Sequence, residues 1–304
     1  MTKKTRQQCA VCLLLLLGPA GALRAADDLA AEQTVRCYVS PHYLLYTDLP
    51  ERDAREALER LTAMYELYRR FAPAPDEGLA KLPVYLYRRF EKYRQSFRPG
   101  ERLNAGRYDG VALRAVLDGE TFSPPDVWRV IQHEGWHQYS HRLLGRSAST
   151  PLWLEEGLAE YFAAAVWKDG ELHTGTIDVG AYVLRGEAIV LQPGRLQRVQ
   201  TRIRTGQFRP LEKLVTMSPD EWRQQVNPVN HDQVWSFTHF LLHAGQGRRR
   251  ESLKAYLADV LRDPPAEPEK ALAIFRTHFG GDPADLQNEY ESWWLAQPVP
   301  PEVE

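Results

Sequence analysis

The pattern of hydrophobic and polar residues changes near position 120. Before it, residues 35–48 are rich in β-branched and aromatic side chains, and residues 82–87 alternate apolar and polar positions, so both segments predict β-strands. Residues 110–117 predict a further strand. Between the first two strands, residues 51–71 repeat apolar side chains at helical spacing until Pro73 ends the pattern. This part of the chain predicts a small unit of strands and helices.

After that point the periodicity is helical. Residues 126–144 form the first predicted helix, which Gly145 ends, and residues 152–167 form the second. Further helices are predicted at 219–226, 231–245, 249–262, 266–279 and 283–296. Strands that precede helices, rather than alternate with them, predict an α+β fold. We expect a sheet subdomain over residues 35–120 and a helical subdomain over residues 121–296.

The first 25 residues are typical of an export signal. Basic residues precede a short apolar run with five consecutive leucines, and small residues follow it. The run is too short to span a bilayer as a helix. We therefore predict a periplasmic or secreted protein whose signal peptide, residues 1–25, is removed after Ala22 or Ala25. An uncleaved membrane-proximal anchor is the alternative, and after signal removal we expect no stable membrane insertion.

Charge and cysteine content limit the partners and the metal ligands that this chain can have. The formal net charge is −2, and the one dense basic run, Arg248 to Arg250, is typical of a solvated helix end, so we expect no nucleic-acid partner. Cys37 is the only cysteine after the predicted signal. An intrachain disulfide and a zinc–thiolate site are therefore excluded from the mature chain, and metal ligands would have to be histidines and carboxylates.

The predicted helix 126–144 contains the motif HExxH. Positions i and i+4 share one helix face, so His133 and His137 can point at one ion. Glu134 is adjacent to the first histidine, and its carboxylate can hydrogen-bond a metal-bound water without being a ligand. Taken alone, the motif is also compatible with an amphipathic helix that carries two surface histidines.

The next helix supplies carboxylates. A catalytic zinc ion takes three protein ligands and keeps one position open, and Glu156 can be the third ligand. Glu160 lies on the same helix face and can accept a hydrogen bond from the outer nitrogen of a ligand histidine, which fixes the ring orientation. The alternative for these residues and Glu155 is a solvated acidic face, against which the many apolar neighbours in this helix argue.

Together these segments resemble the zinc-binding region of the gluzincin (peptidase MA-like) superfamily. The resemblance covers residues 129–162: HExxH, 18 intervening residues, then Glu156 at the start of Glu-Gly-Leu-Ala-Glu-Tyr-Phe. The interval matches that of the M1-type aminopeptidases. No GxMEN-like substrate-anchoring motif occurs, so the chain is more similar to small exported gluzincin-like proteins of uncharacterised function than to a full aminopeptidase.

The resemblance implies a role for each motif residue. It implies that one Zn²⁺ ion is held by His133, His137 and Glu156. Glu134 is implied as the general base, which takes a proton from water and gives it to the leaving group, and Glu160 as the partner of a ligand histidine. A peptide substrate is expected to lie along the edge strand of the sheet, for which we predict residues 110–117.

A donor that stabilises the oxyanion is also expected. In gluzincins it is a Tyr or His from a later segment, and we predict His231, because the start of a helix favours negative charge nearby. Tyr182 is the second choice, and a surface or capping role is the alternative for His231. A second i,i+4 histidine pair, His239 and His243, has no Glu between them and no third ligand nearby, so we interpret both as ordinary helix residues.

Rival zinc layouts do not fit. The metzincin pattern requires glycine and histidine where this chain has Ser140 and Leu143. His141 is about 12 Å along the helix from His133, too far to share one ion. The sequence thus predicts a zinc-dependent metallopeptidase acting on peptides or proteins. The alternatives are a non-catalytic zinc-containing protein that binds a peptide or cell wall, and a helix-rich interaction protein without metal. Specificity, endo- or exopeptidase action and oligomeric state stay open.

Overall fold

The N-terminal part of the chain forms a five-stranded sheet. A computed structural model describes residues 35–73, 79–98, 100–101, 103–144, 150–185, 188–224, 227–265 and 267–299. The strands are β1 (Arg36–Val39), β2 (Tyr43–Thr47), β3 (Leu82–Tyr87), β4 (Gly106–Tyr108) and β5 (Leu113–Val116), in the order β1-β2-β3-β5-β4. The three inner strands are parallel, whereas β1 and β4 run antiparallel to their neighbours.

The edge of this sheet differs from the prediction. The segment 110–117 contains β5, which pairs with β3 on one side and with β4 on the other. The edge strand at this end of the sheet is therefore β4, and β1 forms the opposite edge. The edge was missed because β4 has only three residues. At Gly106 a Cβ atom would lie 3.1 Å from the Ala115 Cβ and from the Val130 Cγ1. Glycine therefore allows the edge strand to approach both β5 and the helix behind it.

Helices dominate the rest of the chain. They are α1 (Glu51–Arg69), α2 (Phe90–Arg94), α3 (Pro124–Leu144), α4 (Leu152–Ala163), α5 (Arg195–Arg204), α6 (Leu211–Val215), α7 (Pro219–Gln224), α8 (Pro228–Gly247), α9 (Arg250–Arg262), α10 (Pro268–Phe279) and α11 (Pro283–Leu295). Two hairpins follow α4: β6 (Val166–Lys168) with β7 (Glu171–His173), and β8 (Ala181–Arg185) with β9 (Ala188–Gln192). The α+β fold is confirmed.

Several boundaries differ from the pattern-based prediction. The helix predicted over 152–167 ends at Ala163, and the chain continues as the first hairpin, whose turn is made by Asp169 and Gly170 with positive φ angles of 53° and 80°. Such an Asp-Gly pair is the residue choice that a two-residue hairpin turn favours. Helices α5 and α6 were not predicted, whereas the last five helices lie close to their predicted positions.

Two glycines set the packing of the central helices. In α3, a Cβ at Gly135 would lie 2.6 Å from the Met64 Cε of α1. In α4, a Cβ at Gly157 would lie 2.2 Å from the Thr238 Oγ1 of α8. Both glycines belong to the motifs that carry the predicted ligands. The absence of a side chain therefore lets each ligand-bearing helix pack closely against a neighbour.

One hydrophobic core joins the two predicted subdomains. It extends from Tyr43 in the sheet to Trp294 in α11, and α3 lies within it between α1, α4 and the sheet. The division at residues 120 and 121 stays a prediction. The predicted signal, residues 1–25, lies outside the described residues. Within the described ranges, no helix is both long and apolar enough to cross a membrane.

Candidate metal centre

Helices α3 and α4 bring three predicted ligands together. The Nε2 atoms of His133 and His137 are 3.1 Å apart. The Oε2 atom of Glu156 lies 3.5 Å from the Nε2 of His133 and 3.9 Å from that of His137. One ligand atom from each of these three residues lies within 4.8 Å of the other two. In the described part of the chain, these residues form the group of His, Cys, Asp or Glu side chains that could hold one metal ion.

The donor set fits a zinc ion. Two nitrogens bound about 2.1 Å from a tetrahedral zinc ion would be roughly 3.4 Å apart, close to the spacing of the two imidazoles. The Glu156 Oε2 atom is buried and has no hydrogen-bond partner within the described ranges, although a buried carboxylate oxygen normally has one. Three protein ligands would leave a coordination position for water or substrate.

The charges around the histidines favour a cation. Burial alone would lower the pKa of His137, but its hydrogen bond to Glu155 and the charges of Glu156 and Glu134 outweigh burial and raise the pKa to about 10. Burial is similarly outweighed at His133, mainly by Glu156, so its pKa is also raised. The neighbouring imidazoles hold the pKa of Glu156 below its usual value despite burial. Protons, or a metal ion in their place, balance these carboxylates.

Glu155 holds the outer nitrogen of His137. Its Oε1 atom lies 2.8 Å from His137 Nδ1 and accepts a hydrogen bond of 2.6 Å from Ser140, while its Oε2 accepts one of 2.6 Å from Thr150. Glu155 is only 7% exposed, so the solvated acidic face is excluded for it. A carboxylate here fixes the ring so that Nε2 faces the site. The sequence-based prediction gave Glu155 no role, although the apolar residues Leu154 and Leu158 beside it were a signal that it is buried.

Glu160 is shared among three partners. Its Oε1 atom lies 3.0 Å from His231 Nδ1 and 3.5 Å from His133 Nδ1, and its Oε2 is 2.7 Å from Arg195 Nη2. Burial opposes the charge of Glu160, but Arg195 and the two histidines hold the pKa of this carboxyl well below its usual value. The predicted position beside a ligand histidine is present, while the shortest contact is the ion pair with arginine.

Arg195 begins α5 and joins the centre to α8. Its Nε donates a hydrogen bond of 2.9 Å to Asp232, and its Nη2 donates one of 3.0 Å to the carbonyl oxygen of His231. Its guanidinium also lies 4.5 Å from the centre of the Trp235 ring. Sequence analysis missed Arg195, because α5 was not predicted and no local pattern distinguishes this arginine from its neighbours.

Glu134 faces the edge strand. Its Oε2 accepts a hydrogen bond of 2.9 Å from the backbone N–H of Tyr108 in β4. The Tyr108 ring packs against His141, with ring centres 5.4 Å apart. These residues and His137 line a cavity of about 280 Å³ in front of the ligands. The arrangement places a carboxylate between the sheet edge and the candidate metal position, and His141 in the cavity wall.

His231 lies beside the candidate metal ligands, whereas His239 and His243 do not. The centre of the His231 ring lies 6.3 Å from that of the His133 ring and 5.4 Å from that of Trp222. Tyr182 lies in β8, whose side chains are outside the described part of the structure. His239 and His243 pack in the core with ring centres 4.3 Å apart.

Comparison with known proteins adds one match. Residues 128–267 match the model of a family described as "Protein of unknown function (DUF1570)". The matched segment contains every residue of the candidate centre from His133 to His231. No curated protein matches the chain.

Proposed function

We propose that this protein is an exported zinc-dependent metallohydrolase of the peptidase type, with His133, His137 and Glu156 as the metal ligands. The observation that carries the proposal is the convergence of these three side chains from two packed helices, with a buried ligand oxygen that has no hydrogen-bond partner among the described residues. Peptides or proteins are the proposed substrates. The export part rests on the N-terminal sequence, and mass spectrometry of the mature N-terminus tests it.

The chain's own groups supply the proton transfers. When bound, a zinc ion would polarise the scissile carbonyl and lower the pKa of a water molecule. Glu134 takes the proton of the attacking water and gives it to the leaving amine. Its bond to the Tyr108 N–H uses one carboxylate oxygen and directs the side chain toward the cavity. His231 points Nδ1 at Glu160, so its Nε2 is the atom that we assign to the oxyanion.

One observation favours the alternative of a non-catalytic zinc-containing protein that binds peptides or cell wall. The Glu134 carboxylate already accepts a backbone hydrogen bond from the edge strand, a contact that would also suit a purely structural role. A substrate strand added at β4 would compete for the same N–H group. The two functions differ in whether substrate is turned over.

The test compares the wild type with Glu134→Gln. We expect both to contain one zinc ion by elemental analysis, and the variant to lose at least about a hundredfold of the hydrolysis of a peptide library. Glu120→Gln, an exposed change at the end of the sheet unit, is the matched control and should keep full activity. A wild type that contains zinc but hydrolyses no library peptide would support the non-catalytic protein that binds peptides or cell wall. A wild type that takes up no zinc would refute both functions.

A further inference from the structure

A second cavity lies at the C-terminal end of α4, at the opposite end of that helix from Glu156. Its volume is about 540 Å³. Trp128 of α3, Ala164 and Trp167 provide mainly apolar walls, and Arg60 of α1 lies between the two tryptophans. A cavity of this size and lining is suited to a small organic molecule with few polar groups.

Arg60 is a partly buried cation in the wall of this cavity. Its guanidinium carbon lies 4.2 Å from the centre of the Trp128 ring and 5.8 Å from that of Trp167. Its Nη2 donates a hydrogen bond of 2.9 Å to the side-chain oxygen of Gln132, whereas its buried Nε has no hydrogen-bond partner in the part of the chain that the structure describes. Among the described residues, no carboxylate forms an ion pair with this guanidinium.

The position of Arg60 is fixed by its neighbours. The Gln132 amide nitrogen donates hydrogen bonds to the carbonyl oxygens at the end of α4, at 2.9 Å to Phe162 and 3.0 Å to Ala165. The Gln132 oxygen is thereby held toward Arg60. The guanidinium is thus oriented by a hydrogen bond and an aromatic ring before any ligand binds, which lowers the entropy lost on binding.

Four other charged groups line the cavity: the side chains of Glu56 and Arg129 are exposed, whereas Asp178 and Arg195 have polar partners. The Asp178 carboxylate accepts hydrogen bonds from the backbone N–H groups of Gly180 and Arg195. The Arg195 side chain pairs with Glu160 and Asp232. Burial lowers the pKa of Arg60 to about 10, and the negative charge of the exposed Glu56 partly offsets this lowering. Arg60 is therefore still charged at neutral pH, and its charge is poorly balanced.

We propose that this cavity binds a small amphipathic carboxylate, an acid with an aromatic or branched aliphatic body. The carboxylate pairs with the Arg60 guanidinium, whose fork of N–H donors matches two carboxylate oxygens. The apolar body lies against Trp128 and Trp167. The apolar walls disfavour a bare phosphate, which would lose its hydration without gaining apolar contact. This inference does not depend on the metal centre.

Isothermal titration calorimetry with 4-phenylbutyrate tests the proposal. The protein is first dialysed against EDTA and then against chelator-free buffer, so that binding to a metal ion cannot contribute. We expect saturable binding, about tenfold or more weaker binding of the neutral 4-phenylbutyramide, and no competition by inorganic phosphate. Equal binding of acid and amide, competition by phosphate, or no binding of the acid would each overturn the proposal.

Variants locate the site. Arg60→Met should weaken 4-phenylbutyrate binding about tenfold or more, and Ala164→Trp, which fills the cavity and keeps the arginine, should abolish binding. Arg55→Met, an exposed change on the same helix outside the cavity, should bind like the wild type. If thermal unfolding shows that Arg60→Met is not folded, Arg60→Lys, which keeps the charge without the fork, replaces it and should also bind more weakly. Unchanged binding by the arginine variant and by Ala164→Trp would refute the site.

Discussion

His133 and His137 in α3 have the same i,i+4 spacing as His239 and His243 in α8, and the surroundings of these two pairs differ. Around His133 and His137, carboxylates from α4 outweigh burial and raise both pKa values. Around His239, burial and the neighbouring His243 lower the pKa to about 3. The Tyr161 hydroxyl lies 3.0 Å from His243 Nε2, and His239 Nε2 donates to a backbone carbonyl. Spacing alone therefore does not make a metal site, and the carboxylates of the neighbouring helix distinguish the two pairs.

The largest expected effect follows from removing the shared carboxylate ligand. Glu156→Ala should reduce zinc affinity by more than the about ten- to hundredfold typical of losing an outer partner, because one of three ligands is gone. Elemental analysis and competition with a chromogenic chelator measure it. As a control, His239→Gln should leave zinc content unchanged. Full zinc occupancy in Glu156→Ala would mean that the ion is held elsewhere in the protein.

The next effect concerns the residue that sequence analysis missed. Glu155→Gln keeps the size of the side chain but removes the charge that orients His137, so zinc affinity should fall by about ten- to hundredfold. The same chelator competition measures it. Thr150→Ser, which keeps the hydroxyl that donates to Glu155, should bind zinc like the wild type. An unchanged affinity in Glu155→Gln would show that packing alone orients the imidazole.

The α8 pair predicts a loss of stability in acid. The pKa of His239 is depressed to about 3 in the folded protein, so between the unfolded value of about 6.5 and pH 3 the unfolded state binds the extra proton. Stability should fall on this account by up to about 1.4 kcal/mol per pH unit as the pH is lowered below 6.5. Urea unfolding at several pH values should show a shallower slope for His239→Gln, whose amide can still donate to the Gly175 carbonyl. Parallel slopes would contradict this.

The smallest effect separates the two carboxylates that flank the ligand histidines. Glu160 lies 3.5 Å from His133, beyond a normal hydrogen bond for these atoms, and its charge is shared with Arg195. Glu160→Gln should therefore lower zinc affinity less than Glu155→Gln does, by under about tenfold. Measuring both variants in one titration series makes the comparison direct. A larger loss in Glu160→Gln would reverse our ranking of the two outer partners.

Local sequence patterns predicted the α+β fold, the long helices and the meeting of His133, His137 and Glu156. The fold, the helices and the pairing of His133 with His137 follow from periodicity and from i,i+4 spacing, which act within one helix. Glu156 was expected from the three protein ligands of a catalytic zinc ion and from the resemblance to gluzincins. Glu155 and Arg195 were missed because their roles depend on how separate elements pack. Glu155 and Glu156 are adjacent in α4, yet one contacts the outer nitrogen of His137 and the other lies beside the inner nitrogens of both histidines. The strand β4 was too short to leave a pattern, so the edge position was assigned to residues 110–117, which contain its neighbour β5.

Gln132 has a further consequence for the metal-free protein. Its side chain ties α3 to the end of α4, while Glu155 ties the beginning of α4 to Ser140 and His137 in α3. The two helices are therefore joined at both ends by bonds that need no ion. Their amide protons should exchange with deuterium only through opening of the whole core, slowly even without a cation and more slowly still when a bound cation stabilises the folded state.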